Sequence, residues 1–308
     1  MKMLKYIGKR LLMLIPVIIG ITLLIYVVMS LAPGDPAELI LGSDAGVEAI
    51  ELKRQELGLN DPILIRYGKY MLNVMRGDFG QSWYNNYSVI DEFLSRLPNT
   101  LTLGLLSISI AILVGIPFGI LAAVKQNGVT DYVTLVVAML FASMPAFWFG
   151  LMAQIVFCID LKLLPAVGAD SLKNFILPAI TLSGGSVAGM VRLTRTSMLE
   201  VIKLDYVRTA RSKGASESRI IFRHVLRNGL LPVVTSIGGH LAVIVGGAVV
   251  TESVFSIPGT GSLMINAVKI RDVPVVMGVI IVIAVFVGIV NLLVDLAYAV
   301  IDPRVKFG

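Results

Sequence analysis

Few residues of this chain carry side chains whose chemistry would matter if they met. They are His224, His240, Cys158 and a small set of carboxylates. Metal binding needs several such ligands converging, and a proton relay needs carboxylates in series. His240, Glu252 and Asp295 lie within or at the edges of long apolar runs. An ionisable side chain in such a place marks an ion or proton path by default. No series of carboxylates joins the three, which argues against a proton-coupled carrier. His240 is expected to hydrogen-bond inside a helix bundle, and His224 lies on the cytoplasmic side, so the two cannot share a metal. Cys158 is the one cysteine and sits in an apolar run, so it reads as a buried, inert thiol. With no nucleophile beside a base, no paired carboxylates and no Cys/His cluster, the chain is expected to have no catalytic, cofactor-binding or metal-binding residue. What remains is charge. Between Arg208 and Gly229 stand five arginines, one lysine and one histidine, in RTARSKGASESRIIFRHVLRNG.

That segment is out of character with the rest. The chain has 308 residues, 56% of them hydrophobic and 15% charged, and a mean hydropathy of +0.86. Soluble domains are about a quarter charged, so this composition is that of a polytopic membrane protein. From Arg192 to Arg227 there are nine basic and three acidic residues, which accounts for the whole formal net charge of +6. So local an excess does not describe a nucleic-acid-binding surface.

Six apolar segments are long enough to span a bilayer: 11–32, 99–123, 132–159, 175–198, 230–252 and 276–300. The first follows Lys2, Lys5, Lys9 and Arg10, but its apolar run exceeds a signal core and no A-x-A site comes after it, so it reads as an uncleaved span. The basic residues ahead of it place the N-terminus in the cytoplasm. By alternation, 33–98 lies outside, 199–229 inside, and the tail with Arg304 and Lys306 inside. Residues 124–131 vote weakly, with Lys125 set against Asp131. The expected fold is an all-α polytopic membrane protein: one domain over 1–308, six transmembrane helices, a small helical extracytoplasmic insert at 33–98 and a cytoplasmic elbow at 199–229. VEAIELKRQELG and ILIRYGKYMLNVM, both in the insert, show helical spacing, with Ile63, Tyr67, Tyr70, Met71 and Val74 on one face.

Within the spans, Gly115 and Gly119, and again Gly185 and Gly189, are four apart, a spacing that lets membrane helices approach closely. Pro117 and Pro145 should kink spans two and three. LSGGS (182–186) resembles the signature of ATP-binding cassette ATPases, but the chain has no GxxxxGK[ST] loop and the stretch lies in a span, so the match is accidental. Met144, Pro145 and Phe147, at the Pro145 kink, are candidates for a translocation pathway.

The basic segment has its own grammar. EVIKLDYVRTARSK reads as a helix with Lys213 in its last turn and Gly214 at a left-handed exit. Ser216 reads as the next N-cap, with Glu217 in the first turn. Arg219, Arg223 and Arg227 then form one stripe, and Ile221, Phe222, Val225 and Leu226 the opposite face. A loop that served only topology would need none of these caps, so the pattern suggests a two-helix elbow docking on a partner protein.

RTARSKG…RHVLRNGLLP resembles the cytoplasmic loop of permease subunits of ATP-binding cassette importers, in the dipeptide, oligopeptide and nickel branch. The match holds at Ala210 and Gly214 and departs at Arg208, where the family usually has Glu. PGDP (33–36), LGLNDP (57–62), GDFGQSW (77–83), RLPNTL (96–101), LPAVGAD (164–170) and VFSIPGTG (254–261) look like the same branch, and the insert is similar to that of the first permease of the pair. The resemblance implies ATPase-coupling residues at Ala210, Gly214, Ala215, Ser216, Glu217 and Arg219. It implies partners too: a homologous second permease, two ATPase subunits that hold ATP and Mg, an extracytoplasmic substrate-binding protein and the lipid of the inner membrane. The solute implied is a short peptide or glutathione, with nickel as a weaker fit. The alternative class is a secondary carrier or channel not driven by ATP; a third reading is a receptor-like membrane scaffold.

Overall fold

A computed structural model describes residues 2–42 and 44–301, and the side chains among them except those of 2–5, 241–247 and 297–301. Arg304 and Lys306 lie outside the described residues. In chain order the helices are α1 (Lys2–Leu31), α2 (Pro36–Leu41), α3 (Val47–Glu56), α4 (Ile63–Met75), α5 (Val89–Val124), α6 (Val129–Ser143) and α7 (Ala146–Gln154), which continues as a π-helical turn at Ile155–Asp160. After them come α8 (Lys173–Ile202), α9 (Asp205–Ser212), α10 (Glu217–Arg219), a second π-helical turn at Ile220–Val225, α11 (Leu226–Gly229), α12 (Leu231–Val254), α13 (Thr260–Ile270) and α14 (Val273–Ile301). Among the described residues there is no strand, only an isolated bridge between Gln81 and Ser88.

Stretches 6–31, 89–124, 173–202 and 273–296 are each helical and apolar enough to cross a membrane. The third expected span, 132–159, is instead a bent pair: α6 and the α7 segment meet at 95°. Pro145 does more here than kink a helix. It cannot donate a backbone hydrogen bond, and it drives Met144 into extended backbone (φ −74°, ψ 128°), so α6 ends outright. Pro117, by contrast, lies inside the unbroken α5. The fifth apolar segment forms the 24-residue α12.

Two compact units are present. One comprises residues 1–100 and 258–293, the other 101–257 and 294–301. In the first, the expected insert helices form as α3 and α4. Ile63, Tyr67 and Tyr70 of α4 pack on Tyr26 of α1 and on Val273 and Met277 of α14. Asp35 of PGDP caps α2, accepting the Ala37 N–H at 3.0 Å, with Pro36 at the first helical position. Two other motifs of the sequence also meet in this unit. Asn99 of RLPNTL donates to the Pro258 carbonyl at 2.9 Å, and Thr100 Oγ1 accepts the Thr260 N–H at 2.9 Å at the start of α13. Ser82 of GDFGQSW donates to the Asp272 carboxylate, which also accepts the Trp83 N–H at 3.1 Å.

In the second unit α8 is the central post. A Cβ on Gly115 would stand 2.7 Å from Met190 Cβ, and one on Gly119 2.6 Å from Thr194 Cβ and 2.8 Å from the Val191 carbonyl. The first glycine pair is therefore a real helix crossing. The second departs from expectation: a Cβ on Gly185 would meet nothing within 4 Å, and one on Gly189 only His240 at 3.6 Å, ordinary contact. LPAVGAD is tied down by Gly168 N–H to the Phe255 carbonyl and by Gln154, which donates to Ala166 O at 2.8 Å.

Candidate coupling site

The basic elbow is built on a rigid floor. Ala123 of α5, Met198 and Val201 of α8, Val207 of α9, Ile220 and Val225 form one buried apolar cluster, with Ala210 and Ala215 packed against it. Helix α9 ends as its sequence dictates. Gly214 takes φ +77°, its N–H bonds to Arg211 O, and Ala215 N–H reaches Ala210 O, the paired bonds of a Schellman motif. Ser216 holds the N-cap position in extended backbone, but its hydroxyl makes no capping bond. An ion pair spans the turn instead: Arg211 Nε and Nη2 donate to the two Glu217 oxygens at 2.6 and 3.0 Å. This contact holds the Glu217 carboxyl below its ordinary range. The pair is well exposed, so it fixes geometry more than it adds stability.

The expected second helix is also altered. Its middle is a π-helical turn, whose i→i+5 bonds bring residues five apart onto one face. Ile220 and Val225 therefore point inward, while Phe222, assigned to the apolar face by α-helical spacing, is 69% exposed. Of the residues singled out for coupling, Ala210 and Ala215 belong to the floor, and Gly214, Ser216, Glu217 and Arg219 are exposed. Phe222 joins them on the surface, a residue that α-helical spacing does not reveal. Tyr206 braces the elbow, donating to His224 O at 3.1 Å and accepting from Asn228 at 2.9 Å. Among the described residues Arg208, at the usual Glu position, has one ion-pair partner, Asp205, at 3.9 Å on the exposed surface.

One turn before the floor, α6 is clamped to α8. Arg195 Nε and Nη2 donate to the two oxygens of Asp131 at 2.6 and 2.7 Å. Asn127, itself left-handed at φ +62°, donates its N–H to the same carboxylate at 3.0 Å. Asp131 is 1% exposed and Arg195 21%. From sequence alone Asp131 counts only as a charge against Lys125. The signal that could have found the pair is Arg195, an ionisable residue within the fourth apolar segment.

The other singled-out residues are dispersed. His240 faces the Ser186 hydroxyl, 3.4 Å from its Nδ1, within the bundle. Glu252 is fully buried near the end of α12, and Asp295 lies in α14. Cys158 is half-buried rather than buried, in the first π turn, with its thiol 3.6 Å from Pro165 O. Met144, Pro145 and Phe147 occupy the break between α6 and α7, Pro145 and Phe147 exposed and Met144 half-buried. A cavity of about 720 Å³ between α5, α6 and α8 is walled mainly by apolar side chains, such as Ile110, Val137, Phe141 and Ile180, with Thr134, Lys173 and Ser183 the polar side chains along it.

Long apolar helices with one packed, charged elbow at the span ends are the architecture of a polytopic helical membrane protein. The chain belongs to the family of binding-protein-dependent transport system inner membrane components, whose model matches residues 115–307. The N-terminal model for such membrane components matches residues 3–104. The chain is 41% identical to the glutathione transport system permease protein GsiC of Escherichia coli K12, over 99% of this chain and all of that protein. It is 39% identical to the dipeptide transport system permease protein DppB of Alkalihalophilus pseudofirmus, over 99% of this chain and all of that protein. Its fold is similar to a chain of the MetNI methionine ABC transporter in an inward-facing conformation. That match has a TM-score of 0.57 at 16% identity and covers 69% of this chain and 97% of that one.

Proposed function

We infer that the chain is the permease subunit of an ATP-driven importer of short peptides, with glutathione or a dipeptide as the solute. Full-length similarity to GsiC and DppB supports that solute class. In this reading six spans, α12 and the bent α6–α7 pair each counting as one, cross the inner membrane with both termini in the cytoplasm. A homologous second permease completes the pathway, two ATPase subunits bind ATP and Mg, and an extracytoplasmic binding protein delivers solute. The observation that carries the coupling role is the elbow, with its apolar floor packed beneath exposed Gly214, Ser216, Glu217, Arg219 and Phe222. An elbow seated on α5 and α8 transmits a push to the spans instead of absorbing it. Met144, Pro145 and Phe147, at the break in the third span, are proposed as pathway residues.

The test is reconstitution of the whole transporter in proteoliposomes. Gly214→Val and Ser216→Trp are expected to abolish ATP-driven uptake, and Phe222→Ala to weaken ATPase binding, with the permease still folded. Unchanged uptake in the first two variants would refute the docking role. Uptake that persists without ATPases and collapses with the proton gradient would point to a secondary carrier.

A further inference from the structure

Beside the outer turns of α1 lies a second cavity, of about 350 Å³, unlike the apolar groove of the other unit. Its walls include Arg54, Arg66, Arg271, Asp35, Asp61 and Trp83. Three of these charges are already matched: Asp35 and Arg54 pair with each other, and Asp61 accepts from Lys69 at 2.6 Å. Arg66 and Arg271 have no carboxylate partner among the described residues. They are held in place by neutral acceptors. Arg271 Nη1 donates to Ala32 O at 2.9 Å and to Gly34 O at 2.6 Å. Arg66 donates to Ser30 Oγ at 3.0 Å and to Leu59 O at 3.3 Å, and its guanidinium lies 5.8 Å from the centre of the Tyr26 ring. The Nε of Arg66 is buried and has no hydrogen-bond partner.

The site is built, not incidental. Arg271 adopts left-handed backbone at φ +57°, uncommon for a side chain of this size, and a Cβ on Gly34 would come within 3.3 Å of its Cζ. Two half-buried guanidiniums fixed in one cavity wall, one of them with a buried donor left over, can be joined by an anion. Guanidinium forks match the oxygens of phosphate and carboxylate. Depth narrows the choice. Tyr26, Met29 and Ser30 belong to the last turns of a span that ends at Leu31, and Val273 begins another. The cavity thus lies where spans leave the hydrocarbon, the level of lipid phosphates, where Tyr and Trp also collect. The uncompensated positive charge favours a headgroup that is anionic overall.

We propose that Arg66 and Arg271, with Trp83 and Tyr26, form a binding site for the phosphate of an anionic phospholipid at the membrane surface. The site stands independently of the solute and of which way the chain faces, since both leaflets present phosphates at this depth. The test uses the intact transporter, purified in detergent and offered phosphatidylglycerol and phosphatidylcholine, with bound lipid counted by native mass spectrometry. The wild type is expected to retain phosphatidylglycerol selectively. Arg66→Gln and Arg271→Gln should each lower that selectivity about tenfold, the equivalent of one charge-assisted contact. Arg66→Lys, which keeps the charge, should restore part of it, and Arg76→Gln, a basic residue elsewhere on the insert, should leave it intact. Equal retention of both lipids by the wild type, or undiminished selectivity in both glutamine variants, would overturn the proposal. So would stabilisation by inorganic phosphate that depends on both arginines without any lipid preference, since the source would then be a free anion.

Discussion

Asp131 and Arg195 are 64 residues apart and meet as a bidentate pair with one partner almost wholly buried. Removing the charge from one side strands the other. Asp131→Asn is therefore expected to lower stability by about 3 kcal/mol, the low end for breaking a buried pair, because Arg195 keeps a fifth of its surface exposed. Adding Arg195→Gln should recover part of that loss. Thermal unfolding in detergent measures both. Asp272 makes a second residue-scale prediction. Burial pushes its carboxyl above the ordinary range, although Ser82, Trp83 and Val275 donate to it. The folded state therefore binds its proton more tightly than the unfolded chain does. Stability is expected to fall as pH rises from the ordinary Asp value, about 3.9, toward the raised one. Asp272→Asn should flatten the stability profile in that window, and an unchanged slope would contradict the assignment.

At the scale of elements, the α5–α8 crossing depends on two glycines that have no room for a methyl group. Gly119→Ala would bring a Cβ against the Thr194 side chain and the Val191 backbone, which cannot swing aside. Overpacking of this kind costs about 1–3 kcal/mol. Gly185→Ala, where nothing lies within 4 Å, is expected to be neutral or to stabilise α8 by up to about 1 kcal/mol through helix propensity. Comparing the two unfolding midpoints checks the crossing against a generic effect of alanine. The GxxxG spacing is the same in both pairs. Sequence shows that a close approach is permitted, but which pair makes it depends on the facing helix. The same limit applies to the elbow. The cap at Gly214 is a local matter and is readable, while the π turn that turns Phe222 outward is a property of how 220–225 pack on α5 and α8.

For the molecule as a whole, orientation can be read with introduced cysteines. In a Cys158→Ser background, Gln55→Cys should react with a membrane-impermeant maleimide in intact cells, and Ser216→Cys only after the membrane is opened. Both positions are exposed, so access depends on the side of the membrane they occupy. Labelling of residue 216 in intact cells would reverse the proposed topology and, with it, place the elbow out of reach of cytoplasmic ATPases.

By itself the sequence determined the features that arise from composition and local backbone rules. The apolar runs dictate an all-helical membrane protein, Gly214 dictates the left-handed exit of α9, and Asp35-Pro36 dictates the start of α2. The motifs along nearly the whole chain carried the family resemblance. Tertiary structure alone decided the contacts between residues distant in sequence. It brought Asp131 to Arg195, Ser82 to Asp272, Asn99 to Pro258, and Arg66 and Arg271 to one cavity wall. It also made the third span a bent pair in place of the one Pro-kinked helix expected from sequence. The reason is physical. Capping and hydropathy act within a few residues and leave a periodic trace, whereas the partner of a charge pair or of a helix crossing is selected by packing between segments and is not written in the local spacing.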